Sequence, residues 1–501
     1  MDFPIPLDQL FVGSNTLNQT GNTVQSLQGS LDGTYLVIGS PFNKLGATDA
    51  GAFGVFRRQY PAANFTSVGP VVQASDRAAF NYFGVSIAIN SNADYILVGA
   101  PGANRGVNSQ GTAYLYKKNP TTDQWVSLYQ FRGSDLVASD RFGTATAMTP
   151  DATYFAVSAP GKDITNAFGT FADAGAIYLY KKRTTTDFWD FLHKAELSVY
   201  PIVPQAKLGS TSMQMSWDGS YLMASTDING RVATVVFKKD PTTDYWSEIT
   251  QLIPRVSTST QWFTMSSNAG YVFVNPFTVT SSSFMYKKDL TTDTWNLIQT
   301  LTPALGAGYR VTAASMSPSA SNLLTADWTQ LNSNGRVVYY TKDQDADTWR
   351  FLSSFTVQRG DGFSPRFGQQ VQLVGDGSLA AISAPFQSTV TGTSAAGAVW
   401  TYSFAATKQI PSSAEYVVAN VPVSGRAWYQ LPQVASTQSQ NLYFRAAPSN
   451  LQIQTLIFST INGDFVDTVS SFSSIGFETS YQFFSDRVSN WYTLTGSGIP
   501  R

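Results

Sequence analysis

The sequence predicts an all-β protein assembled from repeated four-stranded units, and three observations carry that prediction. One stretch recurs: AYLYKKNPTTDQW at 113–125, YLYKKRTTTDFW at 178–189, VFKKDPTTDYW at 236–246, MYKKDLTTDTW at 285–295 and, more weakly, YTKDQDADTW at 340–349. Its spacing of roughly 50 to 65 residues is the signature of a repeat architecture. The composition is that of strands, with 43% hydrophobic and 14% aromatic residues but only 13% charged ones. Finally, the apolar runs are short and alternating, and Gly, Asn, Asp and Pro punctuate them.

Each unit reads as four strands. In the second they are FGVSIAI (83–89), YILVG (95–99) followed by Ala100-Pro101, GTAYLY (111–116) and WVSLYQF (125–131). The third repeats the order with FGTATAM (142–148), YFAVS (154–158) followed by Ala159-Pro160, GAIYLY (175–180) and the stretch from Trp189 to Ala195. Seven units follow from the second strands, at 35–39, 95–99, 154–158, 221–225, 271–275, 322–326 and 379–383. A ring of seven such sheets is a β-propeller, here expected over residues 1–405. The first unit lacks a full preceding outer strand, and the seventh, ending AVWTYSF (398–404), has no TTDxW turn after it. Residues 6–14 (PLDQLFVGS) resemble the outer-strand stretch SLYQFRGS at 127–134, so the N-terminal segment is expected to supply the outermost strand of the last sheet and close the ring.

The recurring turn has its own mechanism. Asp and Thr side chains bond nearby backbone groups, and Pro120 or Pro241 pre-sets φ, so the stretch specifies a hairpin after which Trp opens the outer strand. The paired lysines before it (Lys117-Lys118, Lys181-Lys182, Lys238-Lys239, Lys287-Lys288) are expected on the outer rim, where charge protects sheet edges.

The order FG-x-S/T-x-A, a Tyr-led strand ending G/S-A-P, and G-A/T-x-Y-x-Y at 83–116 and 142–180 resembles the FG-GAP repeat of the integrin α-chain propeller. Unit seven follows it too (Phe367-Gly368, Ala384-Pro385, Gly397–Tyr402), and units four to six follow it loosely. The resemblance implies calcium loops of the form DxDxDG in some blades. The corresponding turns here, SLDGT (30–34), NSNAD (90–94), TPDAT (149–153), SWDGS (216–220) and GDGS (375–378), offer too few carboxylates for the six to eight oxygens calcium takes, so no metal is expected. From about residue 405 the repeat stops, and 406–501 forms a second, β-rich and sandwich-like module. Its LP (431–432) and SDRVSNWY (485–492) are similar to short C-terminal modules of structural and fibre proteins of large DNA viruses and phages.

Chemistry is sparsely provided. Lys+Arg 32 against Asp+Glu 33 leaves a net charge of −1, which does not draw the chain to nucleic acid or anionic lipid. No cysteine exists for disulfides, thiolate metal sites or nucleophilic catalysis. No apolar run reaches the ~18–20 residues of a membrane span, and the N-terminus lacks a signal peptide's pattern. The lone His193 sits in an outer strand, where a structural role is expected. A glycosidase needs two converging carboxylates. Asp227, Asp327 and Asp361 lie nearest the blade ends, and nothing pairs them. Arg359-Gly360-Asp361 spells a tripeptide that integrins bind and is the one candidate interaction site, in a connection that Ser75-Asp76-Arg77 and Ser139-Asp140-Arg141 also occupy.

These readings lead to a non-enzymatic structural or interaction protein without catalytic, cofactor or metal residues. The viral resemblance implies a virion-surface or capsid-associated setting, with other protein subunits and a host glycan or receptor as partners. A cellular adhesion or ligand-binding propeller, extracellular in place, is the alternative, and a glycan-processing enzyme the third. Any binding surface is expected in the loops that differ between blades, at 43–51, 102–111, 161–175 and 387–397.

Overall fold

A computed structural model describes residues 9–12, 26–58, 65–104, 108–167, 169–198, 202–228, 231–252, 261–276, 282–302, 309–343, 345–356, 365–386 and 397–404, with the strand backbones beyond. Seven four-stranded antiparallel sheets follow one another along the chain, and the protein is a seven-bladed β-propeller. Blade 2 shows the pattern: an inner strand Ser86–Ile89, then Tyr95–Ala100, Thr112–Asn119 and the outer strand Gln124–Phe131, each paired with the next. The second strands of the seven blades are those read from the sequence, Tyr35–Ser40, Tyr95–Ala100, Tyr154–Ala159, Tyr221–Ile228, Tyr271–Pro276, Asn322–Asp327 and Leu379–Ala384. In blade 7 the outermost strand is Gln9–Val12, which runs antiparallel to Ala398–Ser403 with Leu10 opposite Trp400. The sole described helix is one turn, Gln330–Ser333.

The core is a set of slabs between blades, because each sheet is apolar on both faces. In blade 2, Leu97 and Leu115 pack towards blade 3 while Ile96, Val98 and Tyr114 pack towards blade 1. Outer strands break the alternation. Each of blades 2 to 6 has a register shift in its outermost pair, as between Leu115 and Tyr116 or Leu179 and Tyr180. The extra residue, Leu128, Leu192 or Ile298 in three of them, packs against an inter-blade slab. A bulge thus re-aims an aliphatic side chain inward where a regular strand would send it out.

The FG signature joins neighbouring blades. Phe142 donates its N–H to Gln110 O at 2.9 Å, and Gly143 donates to Ser158 O at 2.9 Å. Gly111 lies so close that a Cβ there would meet Phe142 O at 2.1 Å, at φ +89°, which only glycine tolerates without strain. The Phe142 ring packs edge-on against Tyr178 at 5.2 Å. Blade 4 keeps the backbone part with Leu208-Gly209.

The chain divides into two compact units, the propeller through Tyr402 and a unit from Ser403 onward. In the second, Lys408–Gln409, Arg426–Gln430, Thr455–Ser459 and Phe465–Val469 form one mixed sheet, and Tyr416–Ala419, Asn441–Ala446, Thr479–Ser485 and Trp491–Gly498 another. The side chains that would test the sandwich expectation lie outside the described residues. No helix of the described residues is long and apolar enough to cross a membrane.

Candidate functional site

The recurring KKxxTTDxW stretch builds a lock across the seam between blades. Tyr154, which opens the second strand of blade 3, donates its hydroxyl to Asp244 of the blade 4 turn at 2.8 Å. Lys239 of blade 4 donates to Tyr154 Oη at 3.1 Å, pairs with Asp244 at 3.4 Å, and lies 4.2 Å from the Tyr154 ring centre. Lys181 of blade 3 also pairs with Asp244, so cations from both blades meet on one carboxylate. Trp246 closes the cluster edge-on against Tyr154 at 5.1 Å and donates its indole N–H to Gly219 O at 3.1 Å. The same constellation ties Tyr35 to Asp123, Tyr95 to Asp187, Tyr221 to Asp293 and Tyr271 to Asp347.

This corrects the edge-protecting role expected of the second lysine in each pair, while the first stays 38 to 47% exposed. The second lysine of each pair keeps only 11 to 24% of its side chain exposed, and Lys342 in the weaker copy 8%. Burial disfavours the charge on Asp187, Asp293 and Asp347, but hydrogen bonds from the lysines and the tyrosine outweigh it and hold all three carboxyls well below the usual range, Asp347 at about 2. Sequence reading missed the lock because its tyrosine lies in the preceding repeat, about 90 residues from its aspartate in the chain. The signal was present nonetheless: Tyr opens the second strand in the five units that precede a TTDxW or DADTW turn, whereas Asn322 and Leu379 stand there in units six and seven.

The turns read as degenerate calcium loops spend their polar groups on themselves. Asp151 accepts from Thr149 Oγ1 at 2.6 Å and Thr153 N at 2.9 Å, and Asp218 accepts from Ser216 Oγ at 2.8 Å and Ser220 N at 2.9 Å. Among the described residues no group of three or more acidic or histidine side chains is placed to hold a metal ion.

The remaining candidates are structural or undescribed. Asp327 is fully buried, and its carboxylate accepts from Arg310 N at 2.6 Å, Thr329 N at 2.9 Å and Gln330 Nε2 at 2.9 Å, shaping the loop after its strand. Asp227 is the penultimate residue of the corresponding strand two blades away. Asp361, with the Arg359-Gly360-Asp361 tripeptide, lies outside the described residues. The two sequences likened to it occupy different places: Asp76 accepts the Tyr114 hydroxyl at 2.8 Å, and the residue with that role in the next connection is Asp135, bonded by Tyr178 at 2.7 Å, not Asp140. His193 accepts the Trp246 N–H at 3.0 Å and stacks on Tyr245 at 4.1 Å.

Along the axis the inner strands surround a cavity of about 220 Å³. Its polar side chains stitch blades together, as where Gln214, Thr264 and Ser315 accept backbone N–H groups of Met265, Met316 and Leu373 at 2.9 to 3.1 Å. By strand connectivity the locks sit at one end of the ring. The FG seams and the described parts of the variable loops sit at the other.

Fold and seams together define a seven-bladed β-propeller whose blade-to-blade turns carry an FG-GAP-like signature. Residues 71–116, spanning the FG seam and second and third strands of blade 2, match the FG-GAP repeat family model. No curated protein matches the chain. Among solved structures it is similar to the β-propeller domain of Myceliophteria thermophila Cps50 (Swd1), at 10% identity over 79% of this chain and 99% of that one, with a TM-score of 0.48. It is also similar to the periplasmic gluconolactonase PpgL of Pseudomonas aeruginosa, at 13% identity over 66% and 85% with a TM-score of 0.44. A Lactobacillus plantarum protein matches at 14% identity over 66% and 84%, with a TM-score of 0.44.

Proposed function

We propose that the protein is a non-enzymatic interaction module, a rigid ring presenting its variable loops to partners within a larger assembly. One observation carries the reading: the repeated Tyr, Asp, Lys and Trp residues, which hold much of the chain's reactive chemistry, are spent on joining blades. What differs between blades is the loop end, and a surface selected for recognition varies there while its scaffold repeats. The finer proposal is a virion-surface or capsid-associated place, resting on the sequence of the C-terminal module, with protein subunits as partners and a host receptor or glycan at the loops. An extracellular adhesion propeller is the alternative.

Mass spectrometry of purified particles from the source tests the setting: the chain should be recovered in stoichiometric amount, and its absence removes the virion reading. The non-enzymatic reading is tested on a panel of aryl glycosides and sugar lactones, where turnover should not exceed that of buffer. Turnover abolished by Asp327→Asn or Asp227→Asn in a folded protein overturns it.

A further inference from the structure

We propose that the FG end of blades 6 and 7 binds an acidic peptide segment of a protein partner, anchored on the Arg366 guanidinium; this rests on the interaction reading above and names the chemistry of that partner. Cations are used differently at the two ends of the ring. At the lock end they are matched by aspartates, as Lys238 and Lys288 are by Asp293. At the FG end a basic residue directly precedes the FG position in four blades: Arg141 before Phe142, Lys207 before Leu208, Arg310 before Val311 and Arg366 before Phe367. Among the described residues none of these four side chains has a hydrogen-bond or ion-pair partner.

Arg366 is the most firmly placed of them. Its backbone N–H donates to Ser333 O of blade 6 at 3.1 Å, and its guanidinium carbon lies 4.5 Å from the Trp328 ring centre of blade 6 and 4.4 Å from the Phe386 ring centre of blade 7. Contacts with two rings hold a flat cation in place without consuming its N–H groups. The unpartnered guanidinium nitrogens are not buried, which leaves an open donor fork that fits the two oxygens of a carboxylate.

Charge narrows the partner to an acid. At this end of blades 6 and 7 the described residues include Arg310, Arg336 and Arg366 but only one acid, Asp327, which is fully buried and already accepts the three bonds given above. Acids are more frequent elsewhere at the same end, with Asp49, Asp163 and Asp173 in the loops of blades 1 and 3, so the positive field centres on blades 6 and 7. Composition narrows it to a protein. Trp328, Phe386 and Arg366, all half-buried, are of the types enriched in protein interfaces. Arg310 and Arg366 stand in different blades, so one small anion meets one of them, whereas a peptide with several carboxylates meets both.

The full chain is used to select binders from a displayed library of random short peptides. The strongest is synthesised beside its amide counterpart, with Gln for Glu and Asn for Asp, and both are titrated by fluorescence anisotropy. Selected peptides should be enriched in Asp and Glu, and the amide counterpart should bind about tenfold or more weakly. Arg366→Ala and Arg366→Lys should each weaken binding by about the same factor with an unchanged melting transition, because lysine lacks the fork. Arg310→Ala carries the test should the Arg366 variants fail to fold. An amide counterpart that binds as well, binding indifferent to Arg366→Ala, or displacement by inorganic phosphate or sialyllactose at the peptide's own concentration overturns the proposal. Enrichment of non-acidic peptides ends it and leaves the interaction reading standing; enrichment of none ends it too, and the particle test above then bears on that reading alone.

Discussion

At Tyr154 one hydroxyl serves two blades, donating to Asp244 while accepting from Lys239. Tyr154→Phe removes both bonds and leaves a part-buried ion pair less well satisfied, so urea denaturation should show a loss of about 1–2 kcal/mol. The ion pair without that hydroxyl is partly exposed and of lesser worth. His193 makes a second residue-scale case. Between blades 5 and 6 the equivalent position is Gln299, which accepts the Trp349 N–H and donates to Trp349 O, both at 2.7 Å. His193→Gln should therefore be at least as stable as the parent, whereas His193→Ala should lose about 1 kcal/mol. Burial holds the His193 imidazole below its ordinary pKa, against a raising influence of Trp246 O. The unfolded chain thus binds the proton more readily, and this group's contribution is complete above about pH 6.5 and lost as pH falls through the lower folded value. Melting temperatures from pH 7 to 5 should fall for the parent and not for His193→Gln.

For a blade, the decisive element is the strand end that meets the next blade's FG turn. Gly111→Ala places a methyl group against Phe142 O at a backbone conformation that L residues rarely adopt. Strain and overpacking of ~1–3 kcal/mol each should lower stability by about 3 kcal/mol in chemical denaturation. The outer strands teach the complementary lesson. Alternation read from the sequence puts Leu128 and Tyr129 on opposite faces, yet the bulge lets both pack against the slab between blades 2 and 3. A period-two reading has no means of seeing an extra residue, because the bulge is defined by the partner strand.

Across the whole molecule the locks share one titration. Their aspartates, Asp187, Asp293 and Asp347 most strongly, ionise more readily in the fold than in the unfolded chain, whose carboxyls titrate near ~3.9. Their contribution is complete above about pH 4 and is lost as pH falls through the lowered folded values, about 2 for Asp347 and further below the usual range for the other two. Melting temperature should drop steeply below about pH 4, and more gently in an Asp187→Asn/Asp293→Asn/Asp347→Asn variant that starts lower. The locks are also unevenly placed. Five seams carry them, while Asn322 and Leu379 replace the tyrosine at the seams on either side of blade 7, whose outer strand Gln9–Val12 joins by four residue pairs. Hydrogen exchange should show blade 7 opening before blades 2 to 5, and deletion of residues 1–12 should accelerate it there most.

The sequence by itself determined the class, the number of blades and their second strands, because these depend on local alternation and on a repeat that any window of the chain displays. It also marked the FG-GAP signature, since glycine is required where the backbones of neighbouring blades meet at a positive φ. The role of KKxxTTDxW was decided only by the tertiary structure. Read within one repeat, the stretch is a turn with charged flanks, and its meaning depends on a tyrosine brought from the previous blade.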